Sequence, residues 1–284
     1  MKNCYHLCTA ALKDVLLCYD EEDYRVLWNI LAVCTFVSGI KMYCFCIMSN
    51  HLHLLISGSP QEIDRFMALF KQKTGRHYVQ KYGKRTIQRL EYQLFPVNGW
   101  KSFCQETAYI LRNPFKAGIS SPFSYRWSPA TSYFSADSEK GIPLREIPVK
   151  QRYALLKTRF ELPGSVRLSD DGRILPGSFV DIPYVEKTFG DSSVQFFNQL
   201  RKWNLEELVN ASHGEAESDM YSDEVVYREI LQECQTVYRV TSPDRLDTRA
   251  LVRLVRMVRS RFGAPQAQLR RLLPVDDDLL ERIL

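Results

Sequence analysis

The chain has 284 residues, of which 45% are apolar, and its 38 Lys and Arg against 33 Asp and Glu leave a net charge of +5. This excludes a disordered polyelectrolyte and supports one large domain or two modest ones; so mild a basic excess permits an anionic partner without demanding one. Of its eight cysteines, Cys4, Cys8, Cys18, Cys34, Cys44 and Cys46 sit inside apolar segments, where a thiol behaves as a small hydrophobe, so a secreted disulfide scaffold is not expected.

In chain order, residues 4–12 (CYHLCTAAL) read as a strand. His6, Lys13 and Asp14 interrupt any signal-peptide core there. Residues 21–39 read as a helix with an acidic first turn and Gly39 as its stop. Residues 40–48 and 51–58 read as two strands, joined as a hairpin across Ser49-Asn50. The apolar stretch from Leu27 to Ile47 carries Asn29, Ser38, Gly39 and Lys41, so no membrane span is expected and the chain reads as cytoplasmic. Ser59-Pro60 opens a further helix with the stripe Ile63, Phe66, Met67 and Phe70, and Lys71, Lys73, Arg76 and Lys81 on its second half. Residues 84–100 carry little pattern. Residues 102–113 read as a helix that Pro114 ends or kinks.

This order, β-α-β-β-α-(β)-α, gives an α+β fold: a ferredoxin-like antiparallel sheet with helices on one side. After residue 120 the pattern changes. Residues 120–143 read as an irregular crossing, 146–205 as mixed with helix at either end, 207–223 as a polar, acidic linker, and 224–284 as helical. Expected domains are therefore 1–134, an extension and linker at 135–223, and a mostly helical C-terminal domain at 224–284.

Two stretches carry chemistry. In "IMSNHLHLL", His51 and His53 lie two apart on a strand, so they share a face with Leu52 opposite, roughly 6.5 to 7 Å apart at the backbone. Two such imidazoles can converge on one metal ion; the plainer reading is two polar residues on a solvated face. Cys44 and Cys46 share a face of the preceding strand, and a two-residue turn places Cys46 opposite His53, which keeps a zinc site open. In "ETAYILRNPFKAG", Tyr109 and Asn113 are four apart on one helical face, close enough for a tyrosine and an amide to serve one metal. Alone, they read as a core tyrosine and a helix-ending Asn-Pro. Tyr78, Tyr82 and Tyr92 are rival nucleophiles by composition, and Tyr78 on its basic helix is also a candidate for stacking a base.

In combination these stretches resemble the HUH superfamily of single-tyrosine transposases, of the insertion-sequence, IS200-like type, and their REP-associated relatives. The likeness runs over about residues 4–134 through Tyr5-His6, "IMSNHLHLL", "RFMALFKQKTGRHY", "YILRNPFKAG" and "SYRWSPATSY"; residues 84–100 follow the family pattern only loosely. The resemblance implies that His51, His53 and Asn113 bind a divalent cation, Mg2+ or Mn2+. It implies that Tyr109 attacks a scissile phosphate to form a 5′-phosphotyrosine link in single-stranded DNA, with a hairpin or inverted repeat as target and a homodimer as the acting form. Lys71, Lys73, Arg76 and His77 are candidate phosphate contacts. "APQAQLRRLLPVDDDLLERIL" resembles a helix-turn-helix, with Arg270 and Arg271 as further DNA contacts and Asp276, Asp277 and Asp278 against them. The rival classes are a non-catalytic DNA-binding regulator that kept the fold and a zinc-stabilised interaction protein.

Overall fold

The structure is a computed structural model that describes residues 3–9, 16–83, 90–117, 119–135, 140–201, 223–262 and 264–283. The linker read at 207–223 lies, except for its last residue, outside the described residues.

Strand β1 (Cys4–Thr9) is followed by α1 (Glu21–Ser38), β2 (Lys41–Ile47), β3 (Leu52–Ser57), α2 (Pro60–Tyr82), β4 (Tyr92–Pro96) and α3 (Gly99–Lys116). Local chemistry explains the boundaries. The Asp20 side chain accepts from the Asp23 backbone N–H to open α1, and Gly39 closes it at φ 79°, a left-handed conformation that costs glycine little. Ser59 and Glu62 form a reciprocal capping box on α2, with Pro60 in the first turn, where its missing N–H leaves no bond unmade. Met48 N–H donates to the His51 carbonyl at 2.9 Å, closing the hairpin turn.

The sheet order is β2-β3-β1-β4 and every neighbouring pair is antiparallel, the ferredoxin-like arrangement. β4 pairs with β1 from Tyr5–Pro96 to Thr9–Tyr92, so the weakly patterned segment does hold a fourth strand. One face of the sheet carries Leu7, Leu54 and Phe45; α1 and α2 pack there, with Trp28 edge-on to Phe45 at 4.7 Å. The other face carries His6, His53 and Cys46, and α3 lies over it. A register shift between Met42 and Cys44 turns Tyr43 to this side too, 5.3 Å from Phe103.

The following segment adds α4 (Val149–Leu156), a two-strand ribbon of β5 (Ile142–Pro143) and β6 (Arg167–Leu168), α5 (Ile182–Thr188), and helical residues at 193–201. It shares one apolar core with the sheet. Trp28 Nε1 donates to the Ile174 carbonyl at 2.7 Å, and Asn29 bonds the Gly172 carbonyl and the Ile174 N–H at 2.9 and 2.8 Å. A second core holds α6 (Asp223–Thr236), α7 (Thr248–Phe262), α8 (Gln266–Leu272) and α9 (Asp277–Ile283), with Leu16 as its contribution from the N-terminal part. Leu251, Leu254, Val255 and Val258 are buried in it as their spacing predicts, and Arg249, Arg253, Arg256 and Arg259 are exposed. No helix among the described residues is long and apolar enough to cross a membrane.

Candidate active site

His51 closes the hairpin turn and His53 follows on β3, their rings edge to face with centroids 4.9 Å apart. The expected convergence is present. A third histidine joins them from the neighbouring strand: His6 Nε2 lies 3.0 Å from His53 Nδ1, and His6 Nδ1 lies 2.9 Å from Glu106 Oε2 on α3. On the rim, His51 Nδ1 meets Asn50 Oδ1 at 2.7 Å. The Thr9 hydroxyl accepts from Leu52 N–H at 2.8 Å, anchoring the residue between the two imidazoles to β1.

These bonds decide which ring nitrogens carry protons. A carboxylate only accepts, so Glu106 fixes the His6 proton on Nδ1. His6 Nε2 and His53 Nδ1 share the next hydrogen bond in the line. The Asn50 oxygen accepts from His51 Nδ1–H. Neutral His51 therefore keeps a lone pair on Nε2, the form a metal ligand needs. Burial favours the neutral ring. It pushes His53 down to about 2, helped by the charges of His51, His6 and Lys116. It pushes His51 down to about 4, with Asp223 opposing and Arg271 adding to the shift.

Tyr109 lies over the histidines, its ring 5.6 Å from His6 and 5.7 Å from His53, with Lys116 Nζ 4.2 Å from the ring centroid. Asn113, 8% exposed, hydrogen-bonds His53, while its Nδ2 donates to the Tyr109 carbonyl at 3.0 Å and the Ile110 carbonyl at 3.4 Å. The sequence expectation that Pro114 bounds the helix near residue 113 needs correcting: α3 runs through Pro114 to Lys116. Pro114 has no N–H for the Ile110 carbonyl, and the Asn113 amide supplies one. Anchored by its nitrogen, the Asn113 side chain turns its oxygen toward His53.

The rival tyrosines are elsewhere. Tyr78 is buried and donates to the carbonyls of Leu16 and Leu17, so it offers no face to a base and the stacking expectation is corrected. Tyr82 donates to Asp23 and Tyr92 to Asp64, each at 2.6 Å. Cys46 does pair with His53 across the hairpin, but its sulfur lies 3.6 Å from the Met48 sulfur. Burial pushes the Cys44 thiol up to about 12 and Cys46 well above its ordinary value, which leaves both protonated here. Among the described residues, no three His, Cys, Asp or Glu side chains gather in a metal-binding group.

The candidate DNA contacts divide. Arg76 is exposed, Lys71 is half-buried with its Nζ 5.8 Å from the Tyr92 ring, and Lys73 is 8% exposed. His77 is bonded to Asp23 at 2.8 Å in the α1–α2 interface and borders a cavity also lined by Lys73 and Arg76. Arg271 grips Asp223 with Nε and Nη2, both at 2.9 Å, and Gln268 Nε2 bonds the same carboxylate at 3.0 Å, so this arginine is spent on joining α8 to α6. Arg270 is half-buried. Sequence reasoning singled out the Tyr5-His6 pair without a role and gave Glu106 none. The alternation that buries His6 on β1 was readable; its pairing with β3 was not.

Residues 3–108 match the model of the family described as "Transposase IS200 like". The matched segment holds His6, His51, His53 and Glu106 and stops one residue before Tyr109. No curated protein matches the chain. Among solved structures, the chain is similar to a REP-associated tyrosine transposase bound to a REP hairpin, at 11% identity and a TM-score of 0.36, over 45% of this chain and 78% of that one.

Proposed function

We propose that this chain, whose residues 3–108 carry a domain of the IS200-like transposase family, is a metal-dependent nickase and strand transferase acting on single-stranded DNA through Tyr109. The observation that carries the reading is the meeting of two distant stretches: the Tyr109 and Asn113 face of α3 lies on the His51–His53 pair. A core tyrosine would not need two buried neutral imidazoles beneath it.

The donors fit a hard divalent cation of the Mg2+ or Mn2+ class: two neutral imidazoles whose Nδ1 atoms are already bonded, and the amide oxygen of Asn113. When bound, such an ion stabilises charge on the phosphoryl oxygens. The chain's own residues do the rest. The Tyr109 oxygen attacks phosphorus, a phosphotyrosine ester forms, and the bond to the 3′ oxygen breaks. The tyrosyl proton leaves, and the departing 3′ oxygen takes up a proton as a hydroxyl. A 3′-hydroxyl attacking the ester reverses these steps and regenerates Tyr109, so the backbone is rejoined without an energy source. Lys116 Nζ, 4.2 Å from the Tyr109 ring centroid, places a positive charge beside the reacting side chain. A hairpin-bearing strand is the proposed substrate and a homodimer the proposed acting form.

The test is a labelled single-stranded hairpin oligonucleotide incubated with the full chain and Mn2+, resolved under denaturing conditions. A covalent protein–DNA adduct is expected, lost with chelator and reduced by roughly 10³-fold or more in Tyr109→Phe at unchanged melting temperature. An adduct that survives in Tyr109→Phe sinks the assignment. Chelator-insensitive binding with no adduct favours the regulator that kept the fold.

A further inference from the structure

On the face of the sheet away from Tyr109, a cavity of about 560 Å³ opens between α2 and the chain that follows α4. Lys73 and Arg76 line one wall; Tyr153, Lys157, Arg159 and Phe160 line the other, and no carboxylate lines either. The second wall lies outside the family-matched residues.

Lys73 is the telling side chain. It is 8% exposed, yet its ammonium reaches only the Lys157 carbonyl, at 3.4 Å, and the Phe160 ring, 5.2 Å from its centroid. No carboxylate pairs with it among the described residues. Burial pushes its pKa down, and the nearby Arg76 adds to that. A buried cation beside a second cation, without an anion, is a costly arrangement that a bound anion relieves. The wall is held in shape: Lys157 takes a left-handed backbone at φ 50°, and the Thr158 hydroxyl accepts from Phe160 N–H at 3.2 Å. Phe160 and Tyr153 stay 48% and 47% exposed at the mouth. Four cations with two open aromatic rings are the chemistry of a phosphate carrying a flat, unstacked base.

We propose that this groove binds an unpaired nucleotide of a single DNA strand, with its phosphate on Lys73, Arg76 and Arg159 and its base on Phe160. The choice of a strand over a free nucleotide rests on the transposase reading; the phosphate and base chemistry does not. The sheet separates the groove from Tyr109, so the two hold different stretches of a strand.

The test uses the full chain and a fluorescein-labelled thymidine dodecamer, read by fluorescence anisotropy over a range of salt. Arg76→Glu with Arg159→Glu, both exposed positions, weakens binding about tenfold or more and flattens the log–log salt dependence by about 1.4, at about 0.7 for each phosphate no longer neutralised. Reversing Arg65 and Arg145, exposed but outside the groove, has a smaller effect. Phe160→Ala weakens the dodecamer about fivefold or more and leaves an abasic strand of equal length unaffected. Equal losses from the two arginine pairs, or an unchanged affinity in Phe160→Ala with native circular dichroism, overturn the proposal. Displacement of the dodecamer by equimolar thymidine monophosphate assigns the groove to a free nucleotide and overturns the strand. Groove variants that bind weakly while no Tyr109 adduct ever forms leave the groove standing and remove the active-site reading; an adduct with unaffected groove variants does the reverse.

Discussion

Two histidine–carboxylate pairs sit on opposite faces of one sheet. On the α1–α2 face, His77 meets Asp23 at 2.8 Å, with side-chain exposures of 5% and 0%. On the α3 face, His6 meets Glu106 at 2.9 Å, with 8% and 30%. The first pair is a closed knot. Asp23 also accepts from Tyr19 N–H, Lys81 and Tyr82, so every lone pair of a buried carboxylate is used inside the protein. The second pair is the start of a line. From Glu106 it passes through His6 to His53, whose ring lies against Asn113 and Tyr109 on α3. The same two residue types serve cohesion on one face and orientation on the other. The difference lies in where the chain of hydrogen bonds stops.

Substitution separates the two roles. Asp23→Ala leaves His77 and Tyr82 without their acceptor in the α1–α2 interface, while Lys81 keeps Asp20 and Glu22, and is expected to cost roughly 3–5 kcal/mol in urea unfolding. Burial raises the Asp23 pKa, but the bonds from His77, Tyr82, Tyr19 and Lys81 outweigh it and hold the group below its ordinary value. Its stabilisation is therefore complete above the unfolded value of about 3.9 and is lost as pH falls through the folded one. The wild-type urea midpoint should drop below about pH 4 more steeply than that of the variant; parallel acid limbs would break the comparison.

Glu106→Ala is the counterpart. Its carboxylate is partly solvated, so unfolding should change by only about 1 kcal/mol. Mn2+ affinity by calorimetry should fall about 10- to 100-fold, because the His53 ring is no longer held through His6. Equal losses of stability in the Asp23 and Glu106 variants would erase the distinction. Smallest of all is Tyr92→Phe. It removes one exposed bond to Asp64, worth about 0.5–1 kcal/mol, and should leave adduct formation intact. A lost adduct there would move the nucleophile off α3.

Much of this was legible because it is local. The Ser59-Pro60 start and Gly39 stop are backbone chemistry within one turn, and the hairpin that sets Cys46 against His53 follows from a two-residue break. The spacing of Tyr109 and Asn113 gives a shared helical face from the sequence alone. The rest depends on pairings that no period encodes. His6 reaches His53 only because β1 is inserted beside β3, 47 residues away. Asn29 looked like an interruption of an apolar run and instead bonds residues 172 and 174, which ties the later segment into the first core. Arg271 has the composition of a DNA contact, but its partner Asp223 lies 48 residues earlier on another helix.

The position of β1 in the sheet order has a kinetic consequence. Within the sheet, the strand earliest in sequence is an interior strand, flanked by partners that emerge after it, and His6 meets neither His53 nor Glu106 until β3 and α3 have arrived. Non-local closures of this kind are slow to form, and a growing chain cannot make them early. On the ribosome, a chain shorter than about α3 therefore holds no assembled centre. A product truncated before α3 carries the His51–His53 pair yet lacks Tyr109, so under the proposed function incomplete synthesis yields a protein that cannot cut.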